Sequence, residues 1–222
     1  MIESINVVID AMPYILVGFL ETAGLVFGAM GLGLLMGVPL AVGQVYGNRV
    51  VRILVGTYVW FFRGVPVVVL LLLFYFGLFA LIGLNLSAFA AAALVLGLTS
   101  AAYQSQIFRG SIQSLPQGQF KAAQALGMSN RVAITSIILP QALRFSIPGW
   151  SNEYSIILKD SAVAFVIGVT EIMARTHFVA SRTFEHLPLF IAAGLLYYVL
   201  TYLGVTGLRK LEKKVRIAGY SH

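Results

Sequence analysis

Charged residues divide this chain into long apolar runs. Residues 22–48 contain no Asp, Glu, Lys or Arg, and neither do residues 64–108. A helix that crosses a bilayer needs about 20 apolar residues. The first run predicts one span near 14–43; the second is too long for one helix. It breaks at Gly83-Leu84-Asn85-Leu86-Ser87, a stretch with turn chemistry. Spans near 55–82 and 87–108, joined by a short hairpin, follow. A fourth is expected near 142–168, and a fifth near 187–208, where no charge appears before Arg209. The runs are too long and too unalternating for barrel strands. The pattern predicts an all-α integral membrane protein with five transmembrane helices, a single domain over residues 1–222. No sequence repeat, low-complexity tract or soluble domain interrupts it.

Composition sharpens this picture. The chain is 59% hydrophobic and 10% charged, with a mean hydropathy of +0.90. A soluble domain carries about 25% charged residues, so lipid must be the solvent here. The chain has no Cys, which removes disulfides, thiolate metal sites and a Cys nucleophile. The net charge of +7 does not point to nucleic acid, because the basic residues are sorted by side. The loops after spans one and three, and the tail, hold Arg49, Arg52, Arg109, Lys121, Arg131, Arg144, Arg209, Lys210, Lys213, Lys214 and Arg216. The other side holds Arg175 and Arg182 with the acidic Glu3 and Asp10. Basic loops stay in the cytoplasm. The N-terminus is therefore expected outside and the C-terminus inside. The N-terminus lacks a basic leader and a small-residue cleavage site, so the first span is expected to remain. The basic tail reads as a helix end at the anionic lipid surface.

Glu153, Lys159 and Asp160 lie inside the fourth expected span. A charge at mid-bilayer costs about 2.5–3.5 kcal/mol on insertion scales, so such residues face a cavity, a partner or a ligand. Glu153 and Asp160 are seven apart, two helical turns, and share a face; Lys159 points about 100° away. With Asn152 and Ser161 they form a polar stripe suited to an ammonium or guanidinium group. If both carboxylates meet substrate, a cationic amino acid (Arg, Lys or His) is favoured; if they are structural, a polar one such as glutamine fits equally. Arg63 precedes Gly64 and Pro66, where a proline kink frees backbone groups. It either holds a substrate carboxylate or pairs with an acid, Asp160 for example, to fix the kink. His177 and His186 match no metal-binding spacing and are expected to be solvated. The glycines of span one, among them Gly33 and Gly37, are expected to permit close helix packing.

Residues 111–140 form a loop between spans three and four. Pro116 can begin a helix, Lys121 to Leu126 are strong helix formers, and Gly127 is a plausible C-cap. Ser129 or Asn130 would cap a second segment, which Pro140 ends or kinks. Lys121, Ala122, Ala123, Gly127, Ile137, Leu139 and Pro140 set the pattern K-A-A-x3-G-x9-I-x-L-P. It resembles the E-A-A-x3-G-x9-I-x-L-P loop of ABC-importer permeases, with Lys121 in place of the usual Glu. Phe61-Phe62-Arg63-Gly64-Val65-Pro66 is similar to the F-F-R-G-T-P stretch of polar amino acid permeases. Leu158-Lys159-Asp160-Ser161, Val166-Ile167-Gly168-Val169 and Ser181-x-Thr183-Phe184 resemble further segments of that family, in the same order.

The resemblance implies an inner-membrane, multi-pass permease of a prokaryote that works as a dimer, with a second copy or a sister permease. It implies a coupling helix that docks on a pair of ABC ATPase subunits through Gln119, Lys121, Ala122, Ala123, Leu126 and Gly127. It implies an extracytoplasmic binding protein that delivers a polar amino acid. Gln106, where relatives usually carry Glu, becomes either a pathway residue or a helix–helix hydrogen bond. ATP and Mg would belong to the ATPase; this chain has no G-x-x-x-x-G-K-[ST] sequence, and no cofactor or metal is expected in it. Other readings are an ABC permease for another small solute, an intramembrane enzyme, and a channel or ion-driven carrier. The enzyme lacks a Ser–His or G-x-S-x-G arrangement, and the carrier lacks an inverted repeat.

Overall fold

The computed structural model describes residues 2–215, all of whose regular structure is helical. The Glu3 side chain and Arg216, both counted in the charge pattern, lie outside what it describes. We number the helices α1 Ile2–Tyr46, α2 Arg49–Gly64, α3 Val67–Leu81, α4 Ala88–Ser114, α5 Gln117–Ala125, α6 Asn130–Phe145, α7 Ile147–Ile167, α8 Ile172–Thr183 and α9 His186–Val215. Among them α1, α4 and α9 are long and apolar enough to cross a membrane alone. The pairs α2–α3 and α6–α7 are bent, by 106° and 56°, and raise the number of spans to five if each pair is one span.

Those bends redraw two of the expected spans. The stretch 55–82 is not one straight helix: α2 stops at Gly64, and Val65 and Pro66 adopt extended ψ values of 132° and 139°. A residue before proline is pushed out of the helical region, and proline cannot donate to the preceding turn. The stretch 142–168 likewise begins inside α6, breaks at Ser146 and restarts as α7. Pro140 does not end α6. A π-helical stretch over Ile134–Ile138 precedes it, and such a widened turn accommodates a residue with no N–H. Residues between the fourth and fifth expected spans contain α8.

The core is built on α1 packed along α4. Close approach requires Gly33, where a Cβ would collide with the Gln104 amide of α4. Leu25, Val26, Ala29 and Met30 of α1 meet Ala91, Ala92, Val95 and Leu96 of α4, together with Phe62, Leu70 and Ile157. Burial of this kind contributes about 25 cal/mol per Å² where water is the alternative; between membrane helices, tight packing of small residues takes over. A second cluster joins Ala11 and Ile15 to Ile172, Ala180, Leu189 and Ala193, holding α8 and α9 against the first half of α1. A third, around Ala41, Phe108, Ile112, Ile138 and Ala142, ties the ends of α1 and α4 to α6.

Candidate functional site

After the bend, α7 carries Glu153 into the interior of the bundle. Glu153 is only 1% exposed. The Ser100 hydroxyl donates to its Oε1 at 2.8 Å, the Gln104 amide donates to Ser100 Oγ at 3.0 Å and to the Met30 carbonyl at 3.1 Å, and Trp150 Nε1 donates to Gln104 Oε1 at 2.7 Å. A buried carboxylate is tolerated only with such partners. This chain of four side chains ties α7 to α4, and through Met30 to α1.

Asp160 sits at the far end of the same face, partly open, where α7 tightens into the 3-10 turn Ala162–Ile167. Lys159 beside it is exposed. Arg63 closes α2 and lays its guanidinium over the Tyr103 ring, 4.9 Å from the centroid. Arg63 and Asp160 both lie within electrostatic range of Glu153. Glu153 and Asp160 share one face of α7, and neither forms an ion pair with Arg63 among the described residues. Ser161 is fully buried and bonds the Leu158 carbonyl at 2.7 Å. Gln106 donates to Gln44 Oε1 at 2.8 Å and accepts from Arg109 at 3.2 Å, a link between α4 and α1 apart from that group. Asn152 is exposed and faces α9 rather than Asp160.

Sequence reasoning passed over Ser100, Gln104 and Trp150. The signal of Ser100 and Gln104 was present as uncharged polar residues at i and i+4 in the third expected span, but no charge drew attention to it. It also missed Glu171. This residue is fully buried, caps α8 by accepting from the Met173 and Ala174 amides at 2.8 and 2.6 Å, and accepts a hydrogen bond from the Tyr197 hydroxyl of α9. The Thr22 hydroxyl of α1 accepts from the Ile172 amide at 3.3 Å. Three helices thus converge on one helix start. Glu171→Ala removes the cap and orphans Tyr197, so stability in detergent should fall by about 1–3 kcal/mol. An unshifted unfolding midpoint would show the cap to be dispensable. His177 and His186 are exposed, and both stack on Phe190, at 6.5 Å for His177 and 6.0 Å for His186.

At the other end of the bundle, α5 is held by its inner face. Ala123 is buried, Phe120 packs on Tyr46 with centroids 5.3 Å apart, and the Gln119 and Gln141 amides exchange hydrogen bonds of 3.2 and 2.8 Å. Gln141 also donates to the Ile137 carbonyl at 2.7 Å, inside the widened turn of α6. The helix stops at Gly127, whose φ is +79°. Its N–H bonds the Gln124 carbonyl and the Met128 N–H bonds that of Ala123, the paired closure that a left-handed glycine permits. Ser129 then caps α6 through the Val132 amide. Of the six residues singled out for docking, Lys121, Ala122, Leu126 and Gly127 are exposed, Leu126 to 83%, while Gln119 is partly buried and Ala123 faces inward.

Residues 29–217 match the family model described as "Binding-protein-dependent transport system inner membrane component". The chain is 36% identical over 208 residues to the arginine transport system permease protein ArtQ of Bacillus subtilis (strain 168), covering 92% of this chain and 95% of that one. It is 33% identical over 210 residues to the histidine/lysine/arginine/ornithine transport system permease protein HisM of Salmonella typhimurium, with 90% and 89% covered. The crystal structure of an amino acid ABC transporter with histidines superposes with a TM-score of 0.83 at 31% identity, covering 93% of this chain and 96% of that one.

Proposed function

Because this chain belongs to the family of binding-protein-dependent transport system inner membrane components, as a permease subunit of an amino acid ABC importer, we propose that it conducts a cationic amino acid past Asp160. The partly open Asp160, on the same face of α7 as the buried Glu153, carries this reading. Its carboxylate would meet the ammonium or guanidinium of the passing side chain, and Arg63 would meet the carboxylate. The names of ArtQ and HisM, proteins for arginine and for basic amino acids, support the same class. Burial of Glu153 against Ser100 favours a second reading, glutamine or another polar amino acid, since only one carboxylate then stays open to substrate.

The importer works as a dimer of this chain with a second copy or a sister permease, supplied by an extracytoplasmic binding protein. The N-terminus lies outside and the basic end of α9 in the cytoplasm of a prokaryotic cell. ATP and Mg act on the partner ATPase subunits. Closure of those subunits reaches the pathway through α5, whose exposed Lys121, Ala122, Leu126 and Gly127 form the docking face and whose Gln119 and Ala123 anchor it.

The test is ATP hydrolysis by this chain reconstituted with its ATPase and binding protein, across a panel of amino acids. Stimulation by Arg, Lys or His is expected. Stimulation by Gln or Glu alone would replace the cationic reading with the second one. Failure to assemble with any ATPase would overturn the coupling scheme.

A further inference from the structure

A cavity of about 420 Å³ lies between α7 and α9, away from the Glu153–Asp160 group. Ser151, Asn152 and Ser155 line it from α7; Arg209 and Glu212 line it from α9. Ser151 and Ser155 are four apart and Arg209 and Glu212 three apart, so each pair lies on one stripe of its helix. Asn152 and Glu153 are neighbours in sequence but point about 100° apart, which separates this cavity from the proposed pathway. Beside it the Tyr154 hydroxyl donates to the Leu200 carbonyl at 3.0 Å and pins the two helices together.

Ser151 makes the cavity more than a gap. The residue is 7% exposed, and its Oγ is buried without a hydrogen-bond partner among the described residues. The neighbouring Ser155 hydroxyl is already committed to the Ser151 carbonyl at 3.2 Å. Buried hydroxyls in folded proteins nearly always have a partner. An orphan that lines a cavity beside an amide, a guanidinium and a carboxylate marks a place where a polar ligand completes the structure. The volume falls within the range of small-molecule sites.

We propose that this cavity is a second binding site, for a zwitterion. Arg209 takes the anionic group, Glu212 takes the ammonium, and Ser151 and Asn152 bond the atoms between. Opposite charges three residues apart on one helix face match a ligand that carries both charges within a few atoms, and discriminate against a simple anion or cation. Two molecules have this chemistry. One is a free α-amino acid; the other is the headgroup of phosphatidylethanolamine. Arg209 begins the basic end of α9, so the site opens on the cytoplasmic side; that placement rests on the orientation proposed above. There it would respond to amino acid already imported or to the inner leaflet.

The permease–ATPase complex in nanodiscs separates the sources. In discs of phosphatidylglycerol alone, binding of labelled arginine and glutamine is measured for the parent chain, Arg209→Gln and Ser151→Ala. In discs that also contain phosphatidylethanolamine, native mass spectrometry counts the lipid retained per chain. Arg209→Gln should weaken one of these two zwitterions by about tenfold or more, as expected on losing a charge-assisted hydrogen bond. Ser151→Ala, which removes a hydroxyl that no described residue bonds, should weaken the same one. Loss in the first arm assigns the free amino acid; loss in the second assigns the lipid. If neither zwitterion is weakened by either substitution, the second site does not exist. Stimulated ATP hydrolysis tests the pathway through Asp160 and does not depend on this result.

Discussion

Asp160→Asn should raise the arginine concentration needed for half-maximal uptake by about 10–100-fold, while the complex with the ATPase assembles normally. The substitution keeps size and shape and removes one charge. A hydrogen bond to a charged group contributes about 1.5–3 kcal/mol, and each 1.4 kcal/mol is a factor of ten. The carboxylate is partly open at the end of α7 and accepts no hydrogen bond among the described residues, so no internal hydrogen bond is lost with it. The docking proposed for α5 lies at the other end of the bundle. Uptake kinetics for arginine that match the parent chain would remove Asp160 from the pathway and leave it a structural acid.

Gly127→Asp should reduce co-purification of the ATPase by more than about tenfold without preventing membrane insertion. Gly127 holds φ at +79° to close α5, a conformation that costs an L-residue about 1–2 kcal/mol. The new carboxylate would also stand at a helix C-terminus, where the dipole disfavours negative charge. It would further place an unpaired charge beside Leu126, the most exposed apolar residue of the proposed docking face. A desolvated charge without a partner is strongly unfavourable in an interface. Gly127→Ala separates the two causes, because it brings the backbone strain without the charge. Undiminished recovery of the ATPase with the Asp variant would show that α5 is not where it binds.

Much of this could be read along the chain. The apolar runs gave the long helices, because the bilayer sets a minimum length that charge-free segments reveal directly. The short helix from Pro116 to Gly127 was legible because its start, its helix formers and its glycine stop are all local. The break at Pro66 was foreshadowed by the proline itself, although its 106° size was not. By contrast α8 has no counterpart among the elements the apolar pattern predicts. Its sequence is half polar, and its start depends on Glu171, whose partner Tyr197 lies 26 residues away.

The candidate site divides in the same way. Spacing on a helix put Glu153 and Asp160 on one face, since seven residues are close to two turns. It could not say that Glu153 is closed in by Ser100 and Gln104 while Asp160 stays partly open. Nor could it separate Asn152, which turns to α9, or Gln106, which bonds Gln44 across to α1. The sequence by itself determined which residues are too polar for lipid and which segments are long enough to cross it, because both are properties of single side chains and of chain length. Only the tertiary structure decided which polar groups satisfy one another and which are left facing a cavity, because hydrogen bonds between helices join residues as many as 150 positions apart and no local pattern records them.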